Sequence, residues 1–229
     1  MGKNRSILAI GTYSACLKMG LKTEKSFYSL NRKAINQEKI LFKSLEKLLE
    51  RGRLSLRDIE TVCVVRGPGR FTGLRISLTF ASMMKTLRGI KVYAADIFEI
   101  LALKAQRAGF PGCPAWRKTF RIAVALKAFK KEYFLKFFDC QTLLPLHDAE
   151  WTGMERVFEK VRKDDYFLSD TEETDEIYQN PLLKAQRAPQ SICRVKPVDI
   201  IDACLKWKRK EITPLYLKPA KYEIQAAGK

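Results

Sequence analysis

The sequence predicts an α/β fold in which a mixed sheet is flanked by helices, and three stretches carry that reading. Residues 61–65 are β-branched and apolar throughout, too short for a helix and followed by Gly67 and Pro68, so they read as a strand buried on both faces. Behind them runs Gly67-Pro68-Gly69-Arg70-Phe71-Thr72-Gly73, whose glycines let the backbone take positive φ and approach a neighbour closely, and Thr72 can then cap a long apolar helix. Ahead of both, residues 6–10, 14–21 and 25–30 read as three short strands joined by Gly11-Thr12-Tyr13 and Lys22-Thr23-Glu24, an antiparallel meander opening the sheet.

The remaining elements follow in order. Within residues 34–51, Leu41, Leu45 and Leu48 recur at helical spacing beside Phe42 and Leu49, and Gly52 supplies the stop. Ser55-Leu56-Arg57-Asp58 matches a capping box just before the key strand. The helix at residues 72–87 carries two apolar stripes, Leu74, Leu78, Ala81 and Met84 on one and Ile76, Phe80, Met83 and Leu87 on the other. A surface helix needs one such stripe, so the second is expected to meet another helix, another chain, or both. Residues 91–95 form the next strand, and Asp96-Ile97-Phe98-Glu99 caps a helix presenting Ile97, Leu101, Ala105 and Ala108 and ending at Gly109.

Gly109-Phe110-Pro111-Gly112-Cys113-Pro114 marks a boundary between subdomains at residues 1–110 and 111–229, with the tail able to pack back on the first. Beyond it, residues 119–126 and 132–139 form a hairpin around Lys127-Ala128-Phe129-Lys130-Lys131, and residues 154–161 and 197–210 are helices. Residues 169–197 read as loop-rich and acidic at first. No internal repeat is visible in the residues.

At 229 residues the chain can bury a real core, and 46% apolar residues beside 30% charged suits a soluble protein. The longest apolar runs are far too short to span a bilayer, and no secretory signal is evident at the start. Six scattered cysteines without a C-x-x-C pair fit reduced thiols, so the expected compartment is the cytoplasm. His147 is the only histidine, which excludes any metal site built on two histidines from this chain. The net charge of +18 is uneven, with 21 Lys+Arg against 8 Asp+Glu in residues 1–110. Such a field favours polyanions such as tRNA or an acidic partner, while a plainly solvated basic surface accounts for it as well. Lys206-Trp207-Lys208-Arg209-Lys210 interleaves an aromatic with four cations, either an RNA-contacting segment or the wet last turn of a helix.

The glycine loop misses the better-known phosphate signatures. Leu74 and Arg75 follow Gly73 where a Walker loop needs Lys and Ser or Thr, and Gly67, Gly69 and Gly73 miss the dinucleotide fingerprint by one residue. As a generic turn it is equally at home as a purely structural element or as a cradle for an anion or a partner's backbone. The longer string Arg66-Gly67-Pro68-Gly69-Arg70-Phe71-Thr72-Gly73-Leu74-Arg75-Ile76 closely resembles the signature of the TsaB (YeaZ) family, the partner of the TsaD enzyme in bacterial tRNA threonylcarbamoyladenosine synthesis. The resemblance covers most of residues 5–108 and returns at Pro214-Leu215-Tyr216-Leu217-Lys218.

That resemblance implies an actin-like ATPase (ASKHA, ribonuclease H-like) fold with two subdomains. It implies a non-catalytic subunit that docks on a TsaD-like catalytic subunit and works beside a TsaE-like ATPase, with a homodimer and a nucleotide at the partner junction as further expectations. The docking surface it implies lies on the two N-terminal helices, with Leu41, Leu45, Leu74, Ile76, Phe80, Met83 and Leu87 as candidates. Gly11, Thr12, Gly67, Gly69, Thr72 and Gly73 are candidates for a phosphate-type loop. Arg66, Arg70, Arg75, Lys206, Lys208 and Arg209 are candidates for tRNA contact, although tRNA is expected mainly through the complex.

The sequence also departs from the family pattern. Arg70 and Ser77 stand where the family typically has Ser and Gly; Gly11 replaces an Asp; Asn36-Gln37-Glu38 replaces His-Ser-Glu; and Lys127 replaces an Asp. Without the carboxylate at Gly11, an oxygen ligand for a nucleotide's metal is missing. Two other readings stay open: a self-sufficient ATPase or kinase of the same fold, using residues 11–12 and 67–73 as phosphate loops, and, last, a peptidase, for which no Ser/His/Asp set has credible context.

Overall fold

Residues 6–112, 119–170 and 176–218 are described by the structure, a computed structural model. The chain divides into two units, residues 1–104 with 195–214, and residues 105–194 with 215–229. In the first, β1 (Ser6–Gly11), β2 (Cys16–Lys22) and β3 (Phe27–Lys33) form the antiparallel meander. Then come α1 (Gln37–Gly52), a 3₁₀ turn at Leu56–Asp58, β4 (Ile59–Gly67), α2 (Phe71–Arg88) and β5 (Lys91–Asp96). The sheet order is β3-β2-β1-β4-β5, with β4 parallel to β1 and β5 parallel to β4. α3 (Ile97–Arg107) follows, opened by the Asp96–Glu99 capping box.

The second unit holds β6 (Arg121–Phe129), β7 (Glu132–Asp139), β8 (Glu150–Gly153), α4 (Met154–Lys160), β9 (Tyr166–Ser169), α5 (Glu176–Gln179), β10 (Gln186–Arg187) and α6 (Gln190–Cys193). Its order, β8-β7-β6-β9-β10, repeats the first: an antiparallel meander whose first strand pairs in parallel with the fourth, and the fourth with the fifth. This doubled 3-2-1-4-5 arrangement is the actin-like, ribonuclease H-like fold. The repeat lives in the connections and not in the residues, which is why the sequence shows none.

The chain then returns to the first unit as α7 (Pro197–Trp207), which packs on β1, β2, β4 and β5. α1 and α2 pack on the same sheet. A methyl group on Gly52 of α1 would meet Leu21 of β2, whereas one on Gly20 of β2 would meet Pro197 of α7, so successive residues of the strand face different helices. Both faces are therefore covered, and Lys18 is wholly buried.

Several boundaries differ from the sequence expectation, each for a local reason. α1 includes Gly52, and its left-handed terminating residue is Arg53, whose N–H bonds to the Glu50 carbonyl. α2 begins at Phe71 with Arg70 as N-cap, so Thr72 is not the cap but sits in the first turn; the Leu74 N–H already bonds to the Arg70 carbonyl. α7 ends at Trp207 because Lys208 turns left-handed and the Arg209 carbonyl accepts the Ala94 N–H, joining residue 209 to β5. The stretch expected to be loop contains the end of β9, α5, β10 and α6. Cys113 and Pro114, at the end of the expected boundary segment, lie outside the described residues. Among the described residues no helix is long and apolar enough to cross a membrane.

Candidate functional site

The glycine loop closes on the turn between β1 and β2. The Arg70 N–H donates to the Tyr13 carbonyl at 2.8 Å. A Cβ at Gly69 would come within 2.5 Å of that same oxygen, and one at Gly73 would collide with the Thr12 carbonyl. Thr12 Oγ1 lies 2.5 Å from the Gly73 carbonyl and 2.8 Å from Ser77 Oγ. Gly67 takes φ 129°, open to glycine alone at little cost. The two segments nominated as phosphate loops, Gly11 with Thr12 and Gly67 to Gly73, are thus brought together, with the Thr12 and Tyr13 carbonyls seated against Gly73 and Gly69. Ser77, at a position where the family pattern has glycine, uses its hydroxyl to tie down Thr12.

Beneath the turn, Lys18 Nζ donates to the Tyr13 hydroxyl at 2.6 Å and to the Val195 carbonyl at 2.9 Å, and lies 4.8 Å from the Tyr13 ring centre. Gln37, in the segment where the family pattern has His-Ser-Glu, is also buried and donates to the Ser14 carbonyl at 2.7 Å. Among the described residues no group of three or more His, Cys, Asp and Glu is placed to hold a metal ion, and His147 is exposed.

The second feature is a groove of about 390 Å³ between α1 and α2, lined by Leu41, Phe42, Arg75, Ile76, Phe80 and Met83 among others. Leu74, Leu78, Ala81 and Met84 are buried, so that stripe is the core-facing one. On the other stripe Phe80 is buried against Phe42 in an edge-to-face contact at 6.2 Å, Met83 is 38% exposed and Leu87 75% exposed. Three nominated interface residues do not line the groove: Leu45 and Leu74 are core side chains, and Leu87 is exposed outside it. Phe42, 57% exposed, takes their place and was legible only as a flanking apolar residue one position after Leu41.

The nominated cations do not act as one patch. Arg209 makes a bidentate pair with Glu99, at 2.5 and 2.8 Å, and this carboxylate raises the Arg209 pKa. Arg66 is ion-paired with Glu211 at 3.6 Å. The Glu211 carboxyl is held below its ordinary range by the Thr213 hydroxyl and then by Arg66. Arg75 lies 4.0 Å over the Phe71 ring at the groove. Arg70, Lys206 and Lys208 are exposed.

A family model described as tRNA N6-adenosine threonylcarbamoyltransferase, TsaD, matches residues 33–117. A tRNA threonylcarbamoyladenosine biosynthesis protein TsaB from Buchnera aphidicola subsp. Schizaphis graminum is 30% identical over 151 residues, which span 64% of this chain and 64% of that protein's length. Over that span the chain is similar to the TsaB (YeaZ) family. Two solved structures from Pseudomonas aeruginosa, one of YeaZ and one of a protein described as similar to peptidase YeaZ, share the fold seen here. Their TM-scores are 0.67 and 0.70, each at 19% identity over 93% of this chain and 100% of theirs. Residues 66–76, which resemble the TsaB family signature, are the segment that forms the glycine clamp and opens the helix bounding the groove.

Proposed function

We propose that this chain is a non-catalytic subunit that supports a TsaD-like enzyme in threonylcarbamoyl transfer to the adenosine next to the anticodon of tRNAs reading A-starting codons. The observation that carries this reading is the groove between α1 and α2, an apolar surface kept open on a helix whose opposite stripe is already buried. Phe42, Ile76 and Met83 give it adaptable apolar contact area, the kind a partner helix fills. The glycine clamp supports the non-catalytic part of the reading, since Thr12 and Tyr13 occupy the place where a phosphate would approach the N-terminus of α2.

In this reading the groove takes the TsaD-like subunit, a second copy of the chain competes for the same surface when the protein is free, and a TsaE-like ATPase joins the assembled pair. The test is co-purification with a TsaD-like subunit, with ATP hydrolysis by the isolated chain measured beside it. Ile76→Glu and Met83→Glu should each abolish co-purification while the variants stay folded. Turnover of ATP by the purified wild-type chain would replace this reading with that of a self-sufficient ATPase.

A further inference from the structure

The second unit carries a surface that the docking groove leaves unexplained. At the tip of the β6–β7 hairpin, Phe129 is 59% exposed, and on the edge strand β8 Trp151 is 37% exposed. Lys218 links them, with its Nζ 4.5 Å from the Trp151 ring centre and 5.9 Å from that of Phe129. The same ammonium pairs with Glu132 at 2.6 Å. Lys127, Lys130 and Lys131 are exposed around the hairpin tip, and Lys130 Nζ is 5.4 Å from the Phe129 ring centre.

The turn itself is unusual in its chemistry. Lys130 stands at φ 48°, a left-handed position that two-residue hairpins normally give to Asn, Asp or Gly. A lysine there is conformationally disfavoured, and backbone strain of this kind concentrates at functional positions. Two exposed aromatic faces with lysines beside them combine what an unpaired polynucleotide strand requires: ring surfaces on which bases stack, and cations for the phosphates between them. A duplex hides its base faces and would use only the cations.

We propose that Phe129 and Trp151, framed by Lys130, Lys131 and Lys218, form a stacking platform for an unpaired stretch of RNA. Only the identity of that RNA as tRNA rests on the function proposed above. The full-length chain is titrated with a short fluorescent single-stranded RNA of mixed sequence, followed by anisotropy, at low and at raised salt. Phe129→Ala with Trp151→Ala should weaken binding about tenfold or more. Phe129→Ile with Trp151→Leu keeps apolar bulk but removes the rings, and should do the same while circular dichroism reports a folded chain. Lys130→Glu with Lys131→Glu should weaken binding and flatten its salt dependence. A matched RNA duplex should bind more weakly than the single strand. Absence of single-strand binding by the wild type, equal binding by the Ile/Leu variant, or equal binding of the duplex overturns the platform. Co-purification with a TsaD-like subunit is measured on the same preparations: its loss in the wild type sinks the docking function and leaves the platform standing, and RNA binding lost alone does the reverse.

Discussion

The two sheets carry the same strand order, but the helices linking their later strands differ in length and in what they leave open. In the first unit α1 has 16 residues and α2 has 18. In the second, the corresponding α4 has 7 and α5 has 4. Short helices suffice to close a core, as Val157 of α4 and Ile177 of α5 do against Tyr133, Leu135 and Phe167. The long pair does more than close one: α2 buries Leu74, Leu78, Ala81 and Met84 and still presents Ile76 and Met83 to the groove. The topology accounts for a folded unit, and the longer α1 and α2 leave an apolar groove open beyond what closing the core requires.

The comparison is tested most harshly at the glycines that open these helices. Gly73→Ala drives a methyl group into the Thr12 carbonyl, a backbone atom that cannot rotate away, and should cost about 3 kcal/mol or prevent folding. Gly153→Ala, just before α4, meets nothing within 4 Å and should stay within about 0.5 kcal/mol of wild type. Denaturant unfolding checks both, and similar losses at the two sites would erase the distinction between a clamped and an unclamped helix start.

Ion pairs should be equally important in the two units. Glu99 holds Arg209 bidentately in the first, and Asp165 holds Arg121 through contacts of 2.8 and 2.6 Å in the second. Both carboxylates are buried and both arginines partly exposed. Glu99→Gln and Asp165→Asn should therefore each cost about 2–3 kcal/mol in unfolding experiments. A loss confined to one unit would show that only that pair stabilises the fold.

A smaller effect is expected at Tyr13→Phe, which removes the hydroxyl that accepts from the buried Lys18 and should cost about 1–2 kcal/mol by thermal unfolding. The smallest effects are pH-dependent and common to both units. Asp58 is held below its usual range by the Ser55 N–H and hydroxyl, and Asp139 by the Thr142 N–H and hydroxyl. A depressed folded pKa stabilises the fold above the ordinary aspartate value of about 4 and loses that contribution as pH falls through the lower folded value. Asp58→Asn and Asp139→Asn should slightly lower the melting temperature near neutral pH, with the gap closing in acid. A gap independent of pH would contradict this origin.

The sequence made the first unit far more legible than the second. The meander, the strand at residues 61–65, the Asp96–Glu99 box and the two stripes of α2 all rest on local periodicity or capping, and the structure places them within a few residues of expectation. β9 was not legible because four residues, Tyr166 to Ser169, carry no period, though the run sits beside β6 in the sheet interior. β10 has two residues. Burial of Lys18 was hidden because its alternation with Leu17 and Met19 reads as an outward position; only the return of α7, far along the chain, covers that face. Within the candidate site, the glycine loop and Met83 could be read from sequence, whereas Leu45 and Leu74 could not be told from surface residues. Which side of a doubly apolar helix meets the sheet is decided by packing that a single helix does not encode.

The central claim is that α1 and α2 exist in their full length to be held by a partner. Affinity of the folded Met83→Glu chain for a TsaD-like subunit, measured by calorimetry against wild type, tests this most directly. The account predicts micromolar or tighter binding, about 8 kcal/mol or more, by the wild type, with none detectable for the variant. Equal affinity of the two chains would contradict it.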